Sequence, residues 1–239
     1  VDCSLRELEP YIDRRTLFSL NWRFGGPAGR DRYGHSDEEM ESLLQNWIEK
    51  AGAEGWIKPQ GIFGLFPCYS EGEQVIILNP EDSRAEIARL EFASVLGAGN
   101  EDLVSAAQYF ASKDAGVLDT IGLQLTTGGA QVEAVVESFK QKDDYESALF
   151  LQGLSDRVAE DMAERLHSMM RELVGVDDHC GQRWSPGYPG MKNIMHNMTI
   201  HEALQAEELV GVRVTEAGKF RPTGTTAAAV SFHPDARYT

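Results

Sequence analysis

Residues Gly61–Leu78 read GIFGLFPCYSEGEQVIIL. An apolar, aromatic run from Gly61 to Tyr69 meets a polar stretch, Ser70-Glu71-Gly72-Glu73, and a second apolar run, Gln74–Leu78, follows at once. Two strands joined by a tight turn produce this pattern, and strands so joined are antiparallel. Asn79-Pro80 ends the second run, because proline cannot donate to a ladder. Working outward, Glu86–Phe92, Leu118–Thr126, Val212–Ala217 and Ala227–Phe232 read as further strands. Ser4 with Glu7 has capping-box spacing and starts a short helix at Leu5, followed by an extended stretch through Trp22. Ser36 caps a helix whose Met40, Leu43, Leu44, Trp47 and Ile48 recur at helical spacing. Thr127-Gly128-Gly129 leads into a helix from Ala130 to Lys140. The longest helix is expected over Asp143–Leu173, with Leu151, Leu154, Val158, Met162, Leu166, Met169 and Leu173 as its core stripe. Arg183–Gly190 reads as a loop and Thr199–Leu209 as a helix, while residues 93–116 show no clear period. Strands and helices come in runs rather than alternating, so the expected class is α+β with an antiparallel sheet. No linker or repeat interrupts the chain, and residues 1–239 are read as one domain.

A chain of 239 residues with 42% hydrophobic and 25% charged side chains is long and apolar enough to bury a core. Its 22 Lys and Arg against 38 Asp and Glu give a net charge of −16, which argues against nucleic acid and anionic membranes as partners. The apolar run Gly61–Pro67 is too short to span a bilayer, and no basic-then-apolar leader opens the chain. Starting at Val1 without Met and stopping at Thr239, the sequence reads as a piece of a longer polypeptide. Cys3, Cys68 and Cys180 are scattered, which argues against a disulfide framework or cysteine-bound zinc and for a cytoplasmic compartment.

Several motifs carry no chemistry on inspection. Val95-Leu96-Gly97-Ala98-Gly99-Asn100 is half a dinucleotide fingerprint, but Glu101 and Asp102 follow where a pyrophosphate would need neutral backbone, so it reads as a turn. Asp177-Asp178-His179-Cys180-Gly181 approaches a corrinoid-loop pattern with His and Gly one residue too close, and reads as a helix-exit loop. The histidines lack metal-ligand spacing, and no nucleophile elbow occurs. On the long helix, Arg157, Glu160, Glu164 and His167 share one face, either solvated and paired or a carboxylate wall facing a cationic ligand. Arg183-Trp184-Ser185-Pro186-Gly187-Tyr188-Pro189 is the most informative stretch. Two prolines and a glycine keep part of its backbone out of sheet ladders, Arg183 offers a planar fork to a carboxylate, and Tyr188 offers a flat face with a polar tip. The alternative is a rigid turn with a surface arginine.

At Arg183 to Pro189, Arg-x-x-x-Gly-Tyr-Pro, the chain resembles the S-adenosylmethionine-binding motif of the activation domain of cobalamin-dependent methionine synthase. Tyr11-Ile12-Asp13, Gly61–Pro67, Thr127-Gly128-Gly129, Asp143-Asp144-Tyr145, Asp156–Glu160 with Ala163–His167, and Ser231–Tyr238 resemble further motifs of that family in the same order. Relative to the family pattern the C-terminal end reads as truncated at Thr239, the segment Val174–Gln182 is short, and Gly25–His35 is atypical.

The resemblance implies a single C-shaped α+β domain with a bent antiparallel sheet flanked by helices. It implies binding of S-adenosylmethionine and reductive methylation of inactive cob(II)alamin, with the cobalamin carried by a partner domain and the electron supplied by flavodoxin or another reductase. As a module of a methyltransferase, the isolated chain is expected not to methylate homocysteine. The implied ligand residues are Arg183 for the methionyl carboxylate, Glu160 and Asp13 as negative charge, Ser185 and Gly187 through the loop backbone, and Tyr188, Tyr238 and Thr239 near the ligand. No residue is expected to be catalytic or to bind a metal. The competing readings are a stand-alone protein serving another corrinoid methyltransferase and a non-catalytic binding module with a decayed site.

Overall fold

Local signals set the helix starts. The Ser4 hydroxyl accepts from the Glu7 N–H at 3.2 Å and the Glu7 carboxylate accepts from the Ser4 N–H at 2.7 Å, opening Leu5–Leu8. Ser36 and Glu39 repeat the arrangement and open Asp37–Ala53. A computed structural model describes residues 1–24, 36–96 and 103–237.

The stretch up to Trp22 is not extended as expected. It forms a 3₁₀ turn at Glu9–Tyr11, a single α-helical turn at Arg14–Thr16 and a π-helical turn at Leu17–Asn21. Such short pieces have no periodicity to read. They are fixed by a cap, Asp13 accepting from the Thr16 N–H at 3.1 Å, and by a long-range anchor, the indole of buried Trp22 donating to the Phe150 carbonyl at 3.0 Å.

Among the described residues ten strands follow: β1 (Gln60–Glu71), β2 (Gln74–Leu78), β3 (Glu86–Glu91), β4 (Val95–Leu96), β5 (Leu103–Val104), β6 (Asp119–Thr127), β7 (Gln182–Trp184), β8 (Arg213–Val214), β9 (Phe220–Arg221) and β10 (Thr225–Ser231). Six make one sheet in the order β3-β2-β1-β6-β10-β7, and β4-β5 and β8-β9 are separate ribbons. The pairs β1-β2, β2-β3 and β10-β7 are antiparallel. Glu71 pairs with Gln74, so the first hairpin turns on Gly72-Glu73 alone, two residues tighter than expected. The helices Gln131–Lys140 and Tyr145–Val174 lie close to their expected bounds. Thr199–Leu209 instead divides into His196–Ala203 and Ala206–Val210, at Gln205 with φ 53°. The expected strand Val212–Ala217 shrinks to β8, because Thr215–Lys219 is spent on the turn into β9.

By contacts the chain forms two compact units. One comprises Val1–Gly61, Thr126–Glu164 and Arg221–Thr225. Its core is aromatic: Trp22 meets Phe24 and Phe150, Trp47 meets Phe139 and Phe150, and the Lys50 ammonium lies over Trp47, Trp56 and Phe139. Here Gly128 permits close approach to the long helix, since a Cβ on it would sit 2.3 Å from the Ser155 hydroxyl. The Thr-Gly-Gly motif is therefore a helix-packing device.

The other unit holds Ile62–Leu125, Arg165–Phe220 and the segment from Thr226 onward, and with it most of the large sheet. Val75, Ile77, Leu123, Leu125, Ala229 and Trp184 belong to a core that includes Ile200 and Leu204 of the later helices. Val230 and Phe232 belong to a second cluster, with Met170 of the long helix.

Along that helix Leu151, Leu154, Val158, Met162 and Leu166 have no exposed surface, as the stripe requires. The stripe then continues through Met170 rather than Met169, and Leu173 is 66% exposed. Successive steps of four rotate the buried face around the helix, because a turn takes 3.6 residues. Among the described residues no helix is long and apolar enough to cross a membrane.

Candidate functional site

Arg183 and Trp184 are not in a loop but on β7, paired with Val230 and Ala229 of β10. Neighbouring strand residues point to opposite faces. Trp184 enters the core, 1% exposed, stacked on Tyr109 at 6.0 Å and edge-on to Phe92 at 5.8 Å. Arg183 therefore leaves the sheet on the other face, the one from which Val230 packs with Met170. The strand is pinned just before Arg183: the Arg171 guanidinium donates to the Cys180 carbonyl at 2.7 Å, and the Gly181 N–H donates to the His233 carbonyl at 3.1 Å. His233 also lies 5.7 Å from Tyr109, so the closing Phe232-His233-Pro234 stretch packs beside β7.

A tight turn follows. The Gly187 N–H donates to the Met191 carbonyl at 2.8 Å, Tyr188 N–H to the Ser185 carbonyl at 3.3 Å, and Met191 N–H to the Tyr188 carbonyl at 2.9 Å. Gly187 has φ +91°, and a Cβ there would meet only the Ile194 side chain at 3.9 Å. Glycine is required by backbone conformation, not by space. The turn holds the Tyr188 ring 58% exposed, two residues beyond buried Pro186.

Within the field of the Arg183 charge lies an unexpected group. His167 is 3% exposed, and its Nε2 makes no hydrogen bond among the described residues. Burial first, then the Arg171 and Arg183 charges, push its pKa down to about 3. The unfolded chain thus takes up this proton near pH 6.5 and the folded chain only near pH 3, so His167 stabilises the fold fully above pH 6.5 and progressively less below it. Replacing His167 by Gln is expected to remove about 2 kcal/mol of the destabilisation between neutral pH and about pH 5. Denaturant midpoints of the two proteins across that range check this.

The other unit carries a second polar group. Arg157 donates to Asp161 Oδ1 at 3.0 Å, with side-chain exposures of 14% and 3%. Asp161 Oδ2 accepts from the Asp13 backbone N–H at 3.3 Å. The Asp13 carboxylate accepts from the Thr16 hydroxyl at 2.6 Å as well as from the Thr16 N–H, and these bonds with the nearby Arg157 charge lower its pKa. Burial raises Asp161 to about 6 despite Arg157. Its native form binds a proton more readily than the unfolded chain, so its charge opposes folding above about pH 6 and this cost fades on acidification, opposite in sign to His167. Arg157 and His167 are therefore not on a solvated face; Glu164 alone of the four is exposed, and Glu160 is half-buried.

A family model described as vitamin B12 dependent methionine synthase, activation domain, matches residues 4–239. The chain belongs to this family. The methionine synthases of Mycobacterium leprae (strain TN) and Mycobacterium tuberculosis (strain ATCC 25618 / H37Rv) are each 23% identical to it over 256 residues, covering 95% of this chain and 21% of theirs. The activation-domain chain thus spans about a fifth of the length of these curated relatives. A crystal structure of the MetH reactivation domain bound to AdoHcy shares its fold, with a TM-score of 0.84 and 27% identity, covering 100% of this chain and 79% of that one.

Of the residues singled out in this activation domain, Arg183, Ser185, Gly187 and Tyr188 come together on β7 and its turn. Asp13 and Glu160 belong to the other unit, where Asp13 is bonded to the neighbour of Glu160. Tyr238 and Thr239 lie outside the described residues, as do Gly25–His35 and Gly97–Asp102. Sequence reasoning missed Asp161, whose only signal was its i,i+4 spacing from Arg157, and the burial of His167. Gln124, 1% exposed with neither amide atom bonded among the described residues, gave no signal. Among those residues no group of three His, Cys, Asp or Glu is placed to hold a metal ion.

Proposed function

We propose that this activation domain binds S-adenosylmethionine and holds its methyl group for transfer to cobalamin carried by a separate domain. The observation that carries the reading is the split between Trp184 and Arg183: one anchors β7 in the core, and the other leaves the strand on the opposite face just ahead of a turn that displays Tyr188. The AdoHcy-bound neighbour supports the ligand class. When bound, the donor supplies a methyl cation and leaves as AdoHcy, while a reductase such as flavodoxin supplies the one electron that cob(II)alamin needs.

The residues fit such a ligand by charge. Arg183 is assigned to the methionyl carboxylate, as a planar fork on a fixed strand. The Gly187 N–H is spent within the turn, so Gly187 offers its carbonyl, and Ser185 its amide or hydroxyl. Tyr188 covers the apolar part of the ligand, and Tyr238 and Thr239 complete the assignment. Glu160 and Asp13 supply negative charge for the ammonium or sulfonium. The protein's contribution is positioning, the hard chemistry belonging to donor and cobalamin. The whole is read as one functional domain of a cytoplasmic methyltransferase, unable alone to methylate homocysteine.

Calorimetric titration with S-adenosylmethionine and AdoHcy tests the reading. Saturable heat is expected with both, and its absence with both would sink the proposal. In the same assay Glu160→Gln is expected to weaken binding more than Glu164→Gln, since exposed Glu164 is worth only ~0.2–0.5 kcal/mol in helix-surface pairing. Equal, negligible effects would remove Glu160 from the site.

A further inference from the structure

Asp161 is a buried charge whose burial outweighs its ion pair. Its side chain is 3% exposed, and both oxygens are engaged, Oδ1 by Arg157 and Oδ2 by the backbone N–H of Asp13. Replacing a buried ion pair by apolar side chains is often neutral or stabilising, so stability alone does not account for it. Its two bonds tie the long helix to the residue whose carboxylate caps the Arg14–Thr16 turn.

We infer that Asp161 is a positioning residue for Asp13, holding that carboxylate where it meets the positively charged part of the methyl donor, and that acid releases this hold and weakens donor binding. The inference rests on the reading of Asp13 as a ligand residue. The charged groups facing Asp161 are Arg157 on its own helix and Asp13 on the N-terminal segment. A proton added to either oxygen turns an acceptor into a donor and breaks one of the two bonds. Loss of the Oδ2 bond frees the Asp13 backbone directly. Loss of the Oδ1 bond frees Arg157, whose charge also acts on Asp13. Because the Asp13 side chain is bonded to Thr16 at 3.1 and 2.6 Å, it moves with that backbone rather than independently. Burial places the proton uptake near pH 6, inside a range where the fold can be handled.

The test is calorimetric titration of the full chain with S-adenosylmethionine, and with AdoHcy, at about pH 7.5 and about pH 5, with melting temperatures recorded alongside. Wild type is expected to bind about tenfold more weakly at the lower pH. Asp161→Asn keeps an acceptor for the Asp13 N–H but does not titrate, and its affinity is expected to be nearly independent of pH. The paired variant Arg157→Met/Asp161→Leu removes the charges without leaving one unpaired. It is expected to melt no lower than wild type yet to bind about tenfold more weakly at neutral pH. A purely structural role predicts instead that restored melting restores binding. A wild-type affinity that does not change with pH overturns the inference, as does the same pH profile in Asp161→Asn, or wild-type binding by the paired variant. In each of those cases the donor-binding reading stands. No saturable heat from wild type with either compound overturns that reading and this inference with it.

Discussion

Arg183→Ala is expected to weaken S-adenosylmethionine binding by about 30- to several-thousand-fold, with little change in the melting temperature of the unliganded protein. Loss of a charge-assisted pair in a partly dehydrated setting costs about 2–5 kcal/mol, much of it from the ligand carboxylate left unpaired, and 1.4 kcal/mol is a decade of affinity. Arg183 sits on the three-residue strand β7, and its charge opposes protonation of buried His167. Arg183→Lys should rescue only partly, because an ammonium lacks the planar two-bond fork. Calorimetry and apo melting together decide the matter. Retained binding with lost stability would make Arg183 a structural clamp and end the assignment.

Trp184→Ala is expected to do the reverse first. Its indole is 1% exposed, stacked on Tyr109, edge-on to Phe92, and so close to Gly190 that a Cβ there would fall 2.8 Å from the ring. Truncating such a side chain costs about 3–5 kcal/mol, or about 6–20 °C of melting temperature for a chain of this size. Binding should then fall as well, since β7 and the turn beyond it lose their anchor. A shift of only a degree or two would show that the neighbouring rings close the cavity and that β7 is held mainly by its pairing with β10.

The two residues are adjacent in sequence, and only one of their roles was legible there. Arg183 was singled out because a planar cation beside Pro-Gly-Tyr-Pro is a recognisable pattern. Its place on a strand was not, because three residues of β7 are too few to show alternation and the pairing partner lies more than forty residues on, at Ala229–Ser231. The N-terminal turns read as extended in the sequence for a related reason. Leu17 and Trp22 are fully buried, and Trp22 is held by the carbonyl of distant Phe150, so their local sequence carries no helical period.

Sequence alone determined what is local or repetitive. The capping boxes at Ser4 and Ser36 start helices because their bonds close within three residues. The strand pair around Gly72 follows from two apolar runs split by a polar turn, and the stripe from Leu151 to Leu166 from the 3.6-residue turn. The order of motifs from Tyr11 to the Ser231–Tyr238 stretch was enough to indicate the family. Tertiary structure alone decided which charges go dry. A helix face of Arg157, Glu160, Glu164 and His167 reads as solvated wherever nothing is known to cover it. Only the fold lays Asp13 over Asp161 and buries His167 near Arg183. The free energy of a charge depends on what displaces its water, and the groups that do so here are brought in by segments remote in sequence.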